Sequence, residues 1–249
     1  MTEPLILRLN PALDADRYVD AYRRDGFVQI RDVLEPELAD YLAEILESHT
    51  PWRLVHGAGS GPTYITQAEI QAMGQPAFAS AMDSVMRRAA ENHGYIYQVY
   101  PMIKAYLEGW DPGHPLHSVT EFLQSEEVRE FGRRVIGAKR ITKVDAQATL
   151  YGRGHFLTRH IDEGERSERR AAYTLGFSRG WEPDWGGLLA FVNPERNIDS
   201  AWTPGFNVLT LFDGMRMHSV TSVSQFAPRP RYSITGWLRD DPPAGRQVV

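Results

Sequence analysis

The 249-residue sequence contains no cysteine. That absence excludes disulfides, thiolate-ligated zinc, iron–sulfur clusters and thiol nucleophiles together. Long apolar runs are missing too, and the opening residues Met1-Thr2-Glu3-Pro4-Leu5-Ile6-Leu7 have neither a basic n-region nor a full apolar h-region. The expectation is no membrane span, no secretory leader and a cytoplasmic location. Positive charge is not in excess: 27 Lys and Arg stand against 32 Asp and Glu, a formal net charge of -5. Binding to a nucleic-acid backbone relies on clustered cations, so the expected partner is a peptide, protein or small molecule, with no nucleic acid and no membrane. No Gly/Ser-rich linker divides the chain, and 42% apolar residues suffice for a sizeable core. One domain over 1–249 is expected, as a monomer or homodimer, with a helical part at 1–138, a β core at 139–240 and a tail at 241–249.

The first third reads as mainly helical. Asn10-Pro11 opens a helix to about Arg24, Asp25-Gly26 stops it, and Phe27-Val28-Gln29-Ile30 reads as a short strand. Pro36 opens a second helix, in which Leu38, Leu42, Ile45 and Leu46 make one apolar face for core packing. The glycine-rich loop from Gly57 to Pro62 lacks the Gly-Lys-Ser/Thr ending of a phosphate cradle and reads as a surface loop. Helical spacing resumes from 67 to about 92, with a break near Gly74-Gln75-Pro76, and Tyr95-Ile96-Tyr97-Gln98-Val99-Tyr100 follows as an aromatic strand. Ser118-Val119-Thr120-Glu121 has capping-box spacing and predicts a helix from there to about Val135.

After Gly137 the pattern changes to alternating apolar and polar residues punctuated by turns. Strands are expected at 141–151, 156–162, 171–177, 187–192, 208–212, 218–223 and 232–238, which suits a jelly roll. The chemistry is concentrated here. His160 and Asp162 lie two apart on a proposed strand, so they share one face at a separation of roughly 6.6 Å. His218, just past Asp213-Gly214, comes from another strand. Two histidines and one carboxylate are the facial set of a non-haem iron(II) site. Thirteen positions beyond His218, alternation puts Arg231, Ser233, Thr235 and Trp237 on one face. A guanidinium facing a barrel interior needs an anion, and Ser233 can reach the same group, so a dicarboxylic co-substrate fits. Arg229, between Pro228 and Pro230, reads as a loop residue. His114 and His117 have no carboxylate at ligand spacing and read as packing residues, whereas His155 beside the metal strand could support the site. The charged run from Glu163 to Arg170 reads as a solvated turn.

These residues carry a family resemblance over about 140–240. Tyr151-x-x-Gly154-x-Phe156-Leu157-x-x-His160-x-Asp162, then Trp181 and Gly186-Gly187, then Asn207-x-Leu209-x-x-Phe212-Asp213, then His218-x-Val220-x-x-Val223, and finally Arg231-x-Ser233-Ile234-x-Gly236-Trp237 resemble the iron(II)/2-oxoglutarate dioxygenases of the prolyl hydroxylase type. The resemblance implies a mainly β protein with flanking helices: a double-stranded β-helix (jelly roll, cupin-like) core with N-terminal helices. It implies Fe(II) bound by His160, Asp162 and His218, and the distal carboxylate of 2-oxoglutarate bound by Arg231, with Ser233 and Tyr151 assisting. One departure stands out: Gly176 occupies a place where many prolyl hydroxylases have a tyrosine, and Tyr173 lies in a different register, so the second partner of the co-substrate stays open between Tyr151 and Tyr173. The reaction implied converts 2-oxoglutarate and O2 to succinate and CO2 and hydroxylates a C–H bond, of a prolyl or other residue in a peptide or protein or of a free small molecule. Asp162 favours hydroxylation over halogenation, because related halogenases have a small residue there. A non-oxidative cupin-like metal protein is the alternative from another class, and Arg231-x-Ser233 speaks against it. A nucleic-acid demethylase is disfavoured by Trp237, where such enzymes carry a further arginine.

Overall fold

A computed structural model describes residues 5–57, 62–91, 93–164 and 168–242. The tip of the glycine-rich loop at 58–61, the middle of the charged run at 165–167 and most of the tail, from 243, lie outside the described residues.

The N-terminal half runs α1 (Asp16–Asp25), β1 (Phe27–Arg31), α2 (Pro36–Glu44), β2 (Arg53–Gly57), β3 (Pro62–Ile65), α3 (Gln67–Met73), α4 (Gln75–Ala90), β4 (Tyr95–Tyr100), α5 (Met102–Glu108), α6 (Leu116–Leu123) and α7 (Glu126–Ile136). The β half follows as β5 (Lys143–Val144), β6 (Gln147–Tyr151), β7 (Phe156–His160), β8 (Arg169–Phe177), β9 (Leu189–Val192), β10 (Ile198–Trp202), β11 (Phe206–Phe212), β12 (His218–Val220) and β13 (Arg231–Arg239).

Two helix starts differ from the sequence reading, and local hydrogen bonds explain both. Asn10 does not open α1; its side chain accepts from the Ala12 N–H and donates to the Asp32 carbonyl, which pins 10–12 as a turn against the chain after β1. Ser118 lies inside α6, which Pro115 starts one turn earlier, and it is Ser125 that caps α7. The capping box of this chain is Thr66 with Glu69, at the start of α3. The helix stop at Gly26 (φ 69°) and the break between α3 and α4 at Gly74 are as expected.

The strands form one hydrogen-bonded path, β1-β11-β8-β13-β6-β4-β7-β12-β9-β10. β2 pairs antiparallel with β3 and with β4, which extends the sheet from β4. β4 pairs with β6 through Gln98–Tyr100 and with β7 through Tyr95–Ile96, so the sheet splits at the turn 152–155 into a large layer and a small one. The path then curls back: Phe27 of β1 meets Phe191 of β9 and Trp202 of β10, with ring centroids 5.6 and 5.1 Å apart. This is the antiparallel double-stranded β-helix that the motifs imply. β10 escapes the sequence reading because it is an edge strand with little apolar alternation, most of it exposed.

The helices cover the outer face of the large layer. Tyr173, Leu175, Leu211, Ile234 and Leu238 pack there with Leu34, Leu38, Met102, Leu116 and Val135 in one buried cluster. The opposite face, lining the barrel, carries Thr149, Thr174, Thr210, Arg231 and Ser233, because alternate residues of a strand point to opposite faces. Among the described residues no helix is long and apolar enough to cross a membrane.

Candidate metal centre

Antiparallel pairing of β12 with β7 sets His218 directly opposite His160. Asp162 arrives differently from the sequence reading. β7 ends at His160, so Asp162 is not a strand residue; its N–H donates to the Gly214 carbonyl at 2.7 Å, which folds the chain after the strand back over the start of β12. Gly214 has no room for a side chain, since a Cβ there would lie 2.9 Å from the Asp162 Cβ. The loop Asp213-Gly214 thus holds both Asp162 and, four residues on, His218.

The three side chains converge. Asp162 Oδ1 lies 3.4 Å from His160 Nε2, and Asp162 Oδ2 lies 3.4 Å from His218 Nε2. All three residues offer ligand atoms within 4.8 Å of one another. Ligand atoms about 2.1 Å from one ion and about 90–110° apart are themselves roughly 3.0–3.4 Å apart, so this donor set fits a single cation. The outer nitrogens are committed elsewhere: His160 Nδ1–H donates to the Thr158 carbonyl at 3.0 Å and His218 Nδ1–H to the Arg216 carbonyl at 2.8 Å. A carbonyl only accepts, so both protons sit on Nδ1 and both Nε2 lone pairs are free for a metal. Burial alone would raise the Asp162 carboxyl; when the imidazoles are protonated and no ion is bound, their hydrogen bonds and charge outweigh it and hold the group well below the usual carboxylate range. Phe212 packs edge-on against His218, with centroids 4.8 Å apart, and limits water on that side. His160 keeps 29% of its side chain exposed, which leaves one flank of the centre open.

Arg231 lies deeper in the barrel, 4% exposed and in register with Tyr151. Its Nη1 donates to the Gly187 carbonyl at 2.8 Å, while its Nε has no partner among the described residues. No carboxylate among the described residues lies within salt-bridge distance of it. Burial lowers its pKa, the signature of a cation without a counter-ion. Tyr151 lies under the guanidinium, 5.3 Å from ring centre to Cζ, and stacks on Tyr97 at 4.9 Å. Burial pushes both phenols up, and each interacts electrostatically with Asp162.

Of the assisting residues, Ser233 is in the barrel but its hydroxyl is shared with Thr149 at 2.8 Å. Tyr173 points to the helices, where its hydroxyl donates to the Asp145 carbonyl, and so leaves the site. Gly176 faces the interior, and a Cβ there would lie 2.5 Å from the Gly205 carbonyl oxygen. The segment before β11 therefore crosses where a larger side chain would stand. His155 accepts from the Gly152 N–H and serves the turn between β6 and β7. His114 and His117 bond to the His49 and Trp110 carbonyls, away from the centre, as the sequence reading expected. The charged run is not simply solvated: Glu168 is buried and accepts from Arg239. The sequence reading missed Gly214, the carbonyl partners of the two imidazoles and Gly187; only the Asp-Gly turn before His218 gave a signal.

Comparison with known proteins agrees with this geometry. Residues 146–239 match the family model described as the 2OG-Fe(II) oxygenase superfamily. A prolyl-4-hydroxylase from Pseudomonas putida has the same fold at 18% identity and a TM-score of 0.56, over 91% of this chain and 99% of that one. A prolyl hydroxylase from Trichoplax adhaerens, solved with a hypoxia inducible factor oxygen degradation domain peptide fragment, aligns at 18% identity and a TM-score of 0.58, over 91% and 89%. The alpha-ketoglutarate-dependent epimerase SnoN from nogalamycin biosynthesis aligns at 14% identity and 0.53, over 94% and 92%. No curated protein matches the sequence. The stretch matched by the 2OG-Fe(II) oxygenase superfamily model contains His160, Asp162, His218 and Arg231, and the solved structures share the fold around it.

Proposed function

We propose that the protein hydroxylates a C–H bond of a prolyl or similar residue in a peptide or protein, with iron(II) held by His160, Asp162 and His218 and 2-oxoglutarate anchored at Arg231. The observation that carries this reading is the pairing, inside one barrel, of three residues able to hold one metal ion with a buried guanidinium that lacks an anion among the described residues. Bound iron with its co-substrate and O2 supplies the oxidising power, and 2-oxoglutarate leaves as succinate and CO2. The chain's own residues do the positioning. His160, Asp162 and His218 would hold the ion from one side and leave room for further ligands. Arg231 neutralises and orients the distal carboxylate, and Phe212 and Tyr97 restrict water around the reacting atoms. Asp162 fills the position where a halide would otherwise bind, which supports hydroxylation over halogenation.

The superfamily likeness extends to prolyl hydroxylases and to an epimerase acting in small-molecule biosynthesis, so a free small molecule is the second reading. The flank left open at His160 favours a large substrate. The test is a screen of proline-containing peptides and metabolites for succinate release together with a product heavier by one oxygen atom. A peptide product supports the first reading; a small-molecule product with silent peptides overturns it in favour of the second.

A further inference from the structure

Trp202, at the end of edge strand β10, is assigned no role by any motif. Its ring closes the seam between the two sheets, edge-on to Phe27 at 5.1 Å. Its indole Nε1 is buried and has no hydrogen-bond partner among the described residues. A buried indole N–H that could have been left at the surface is costly without an acceptor. The same holds for Arg231 Nε, and the two residues line one small interior cavity together with Gln29, Thr174 and Thr210. The path of the chain explains how the indole gets there. Gly176, without a Cβ, lets the Gly205 carbonyl approach β8, and the Ser178 N–H donates to that carbonyl at 3.0 Å. The segment Thr203-Pro204-Gly205 is thereby laid across the end of the barrel, and Trp202, which precedes it, is turned into the interior. Other polar groups nearby are already engaged: Gln29 Nε2 donates to Thr210 Oγ1 at 3.2 Å, and Ser233 is held by Thr149.

We infer that Trp202 donates its indole N–H to the distal carboxylate of 2-oxoglutarate, so that Arg231 and Trp202 grip the same group from the two sheets. This rests on the reading that 2-oxoglutarate binds at Arg231. An indole N–H is a donor only and cannot repel an anion, so it suits a site that must select a carboxylate.

The test compares 2-oxoglutarate with 2-oxopentanoate, which has the same chain length and 2-oxo acid end but no distal carboxylate. Dissociation constants are measured for the Zn(II)-loaded protein by calorimetry, without turnover. Trp202→Phe keeps the ring against Phe27 and removes the N–H. The expected result is a 10- to 100-fold loss of 2-oxoglutarate affinity, roughly what a hydrogen bond to a charged group contributes, with 2-oxopentanoate affinity changed less than about twofold. Equal losses for both acids would mean that the indole only packs, and no loss for either would overturn the inference outright. Arg231→Met separates the two levels: if it leaves 2-oxoglutarate affinity intact the site reading itself fails, whereas a weakened Arg231 variant beside a silent Trp202 variant sinks only the role of Trp202. Should Trp202→Phe not fold, indole N–H resonances of the wild-type and Trp237→Phe proteins supply the readout. One resonance present in both should shift with 2-oxoglutarate and not with 2-oxopentanoate; if none does, the inference is wrong.

Discussion

On strand β13, Tyr232, Ile234 and Leu238 face the helices, while Arg231, Ser233, Thr235 and Trp237 face the barrel. The two sets are completed in different ways. Ile234 is 0% exposed and surrounded by apolar side chains from the helices and neighbouring strands, so protein atoms alone finish that face. On the other face, Arg231 Nε and Trp237 Nε1 are buried without hydrogen-bond partners among the described residues. Polar groups in folded interiors are almost always paired, so a face with open donors is one whose partner comes from outside the chain. The comparison teaches that the same two-residue alternation sorts stability to one side of the strand and chemistry to the other.

Substitutions on the two faces should therefore have different signatures. At the metal centre, Asp162→Ala or His218→Ala should abolish the visible charge-transfer band formed by iron(II) and 2-oxoglutarate without oxygen; an undiminished band would mean that the ligands lie elsewhere. On the helix face, Ile234→Ala should cost about 2–5 kcal/mol of stability, a fall of roughly 5–15 °C in Tm, and leave the 2-oxoglutarate Kd of the folded protein unchanged. A large change in Kd with little change in Tm would erase the distinction between the faces. Arg231→Met should do the reverse: the ligand-free protein should melt no lower, because an unpaired buried cation is replaced by an apolar side chain, while 2-oxoglutarate binds about 100-fold more weakly, close to 3 kcal/mol. A large drop in Tm without ligand would show that the bond to the Gly187 carbonyl outweighs the missing counter-ion. Smallest of the four, Gly214→Ala should push Asp162 aside and weaken iron binding about 10-fold with Tm nearly unchanged, as expected for a group that positions a ligand; unaltered iron affinity would show that the backbone gives way.

Much of this was legible in the sequence because alternation is a local signal. Arg231, Ser233 and Trp237 share a face as their spacing dictates, and His218 sits on a strand as the Asp213-Gly214 turn suggests. What was not legible depends on contacts between distant segments. The His160 and Asp162 side chains do lie together, but not because they share a strand face: a hydrogen bond to Gly214, more than fifty residues away, turns Asp162 inward after the strand has ended. The orientation of Tyr173 follows from the register of β8 against β11 and β13, which no local pattern reports. Trp202 was silent for the same reason, since its strand is an edge with no period and its place depends on Gly176 across the barrel.

Anomalous diffraction from crystals grown with Mn(II) and 2-oxoglutarate under anaerobic conditions tests the central claim most directly. The expected result is one ion bonded to His160 Nε2, an Asp162 oxygen and His218 Nε2, with the acid chelated on its open face and its far carboxylate on Arg231. An ion bound to other residues, or an acid whose far carboxylate lies away from Arg231, would contradict it.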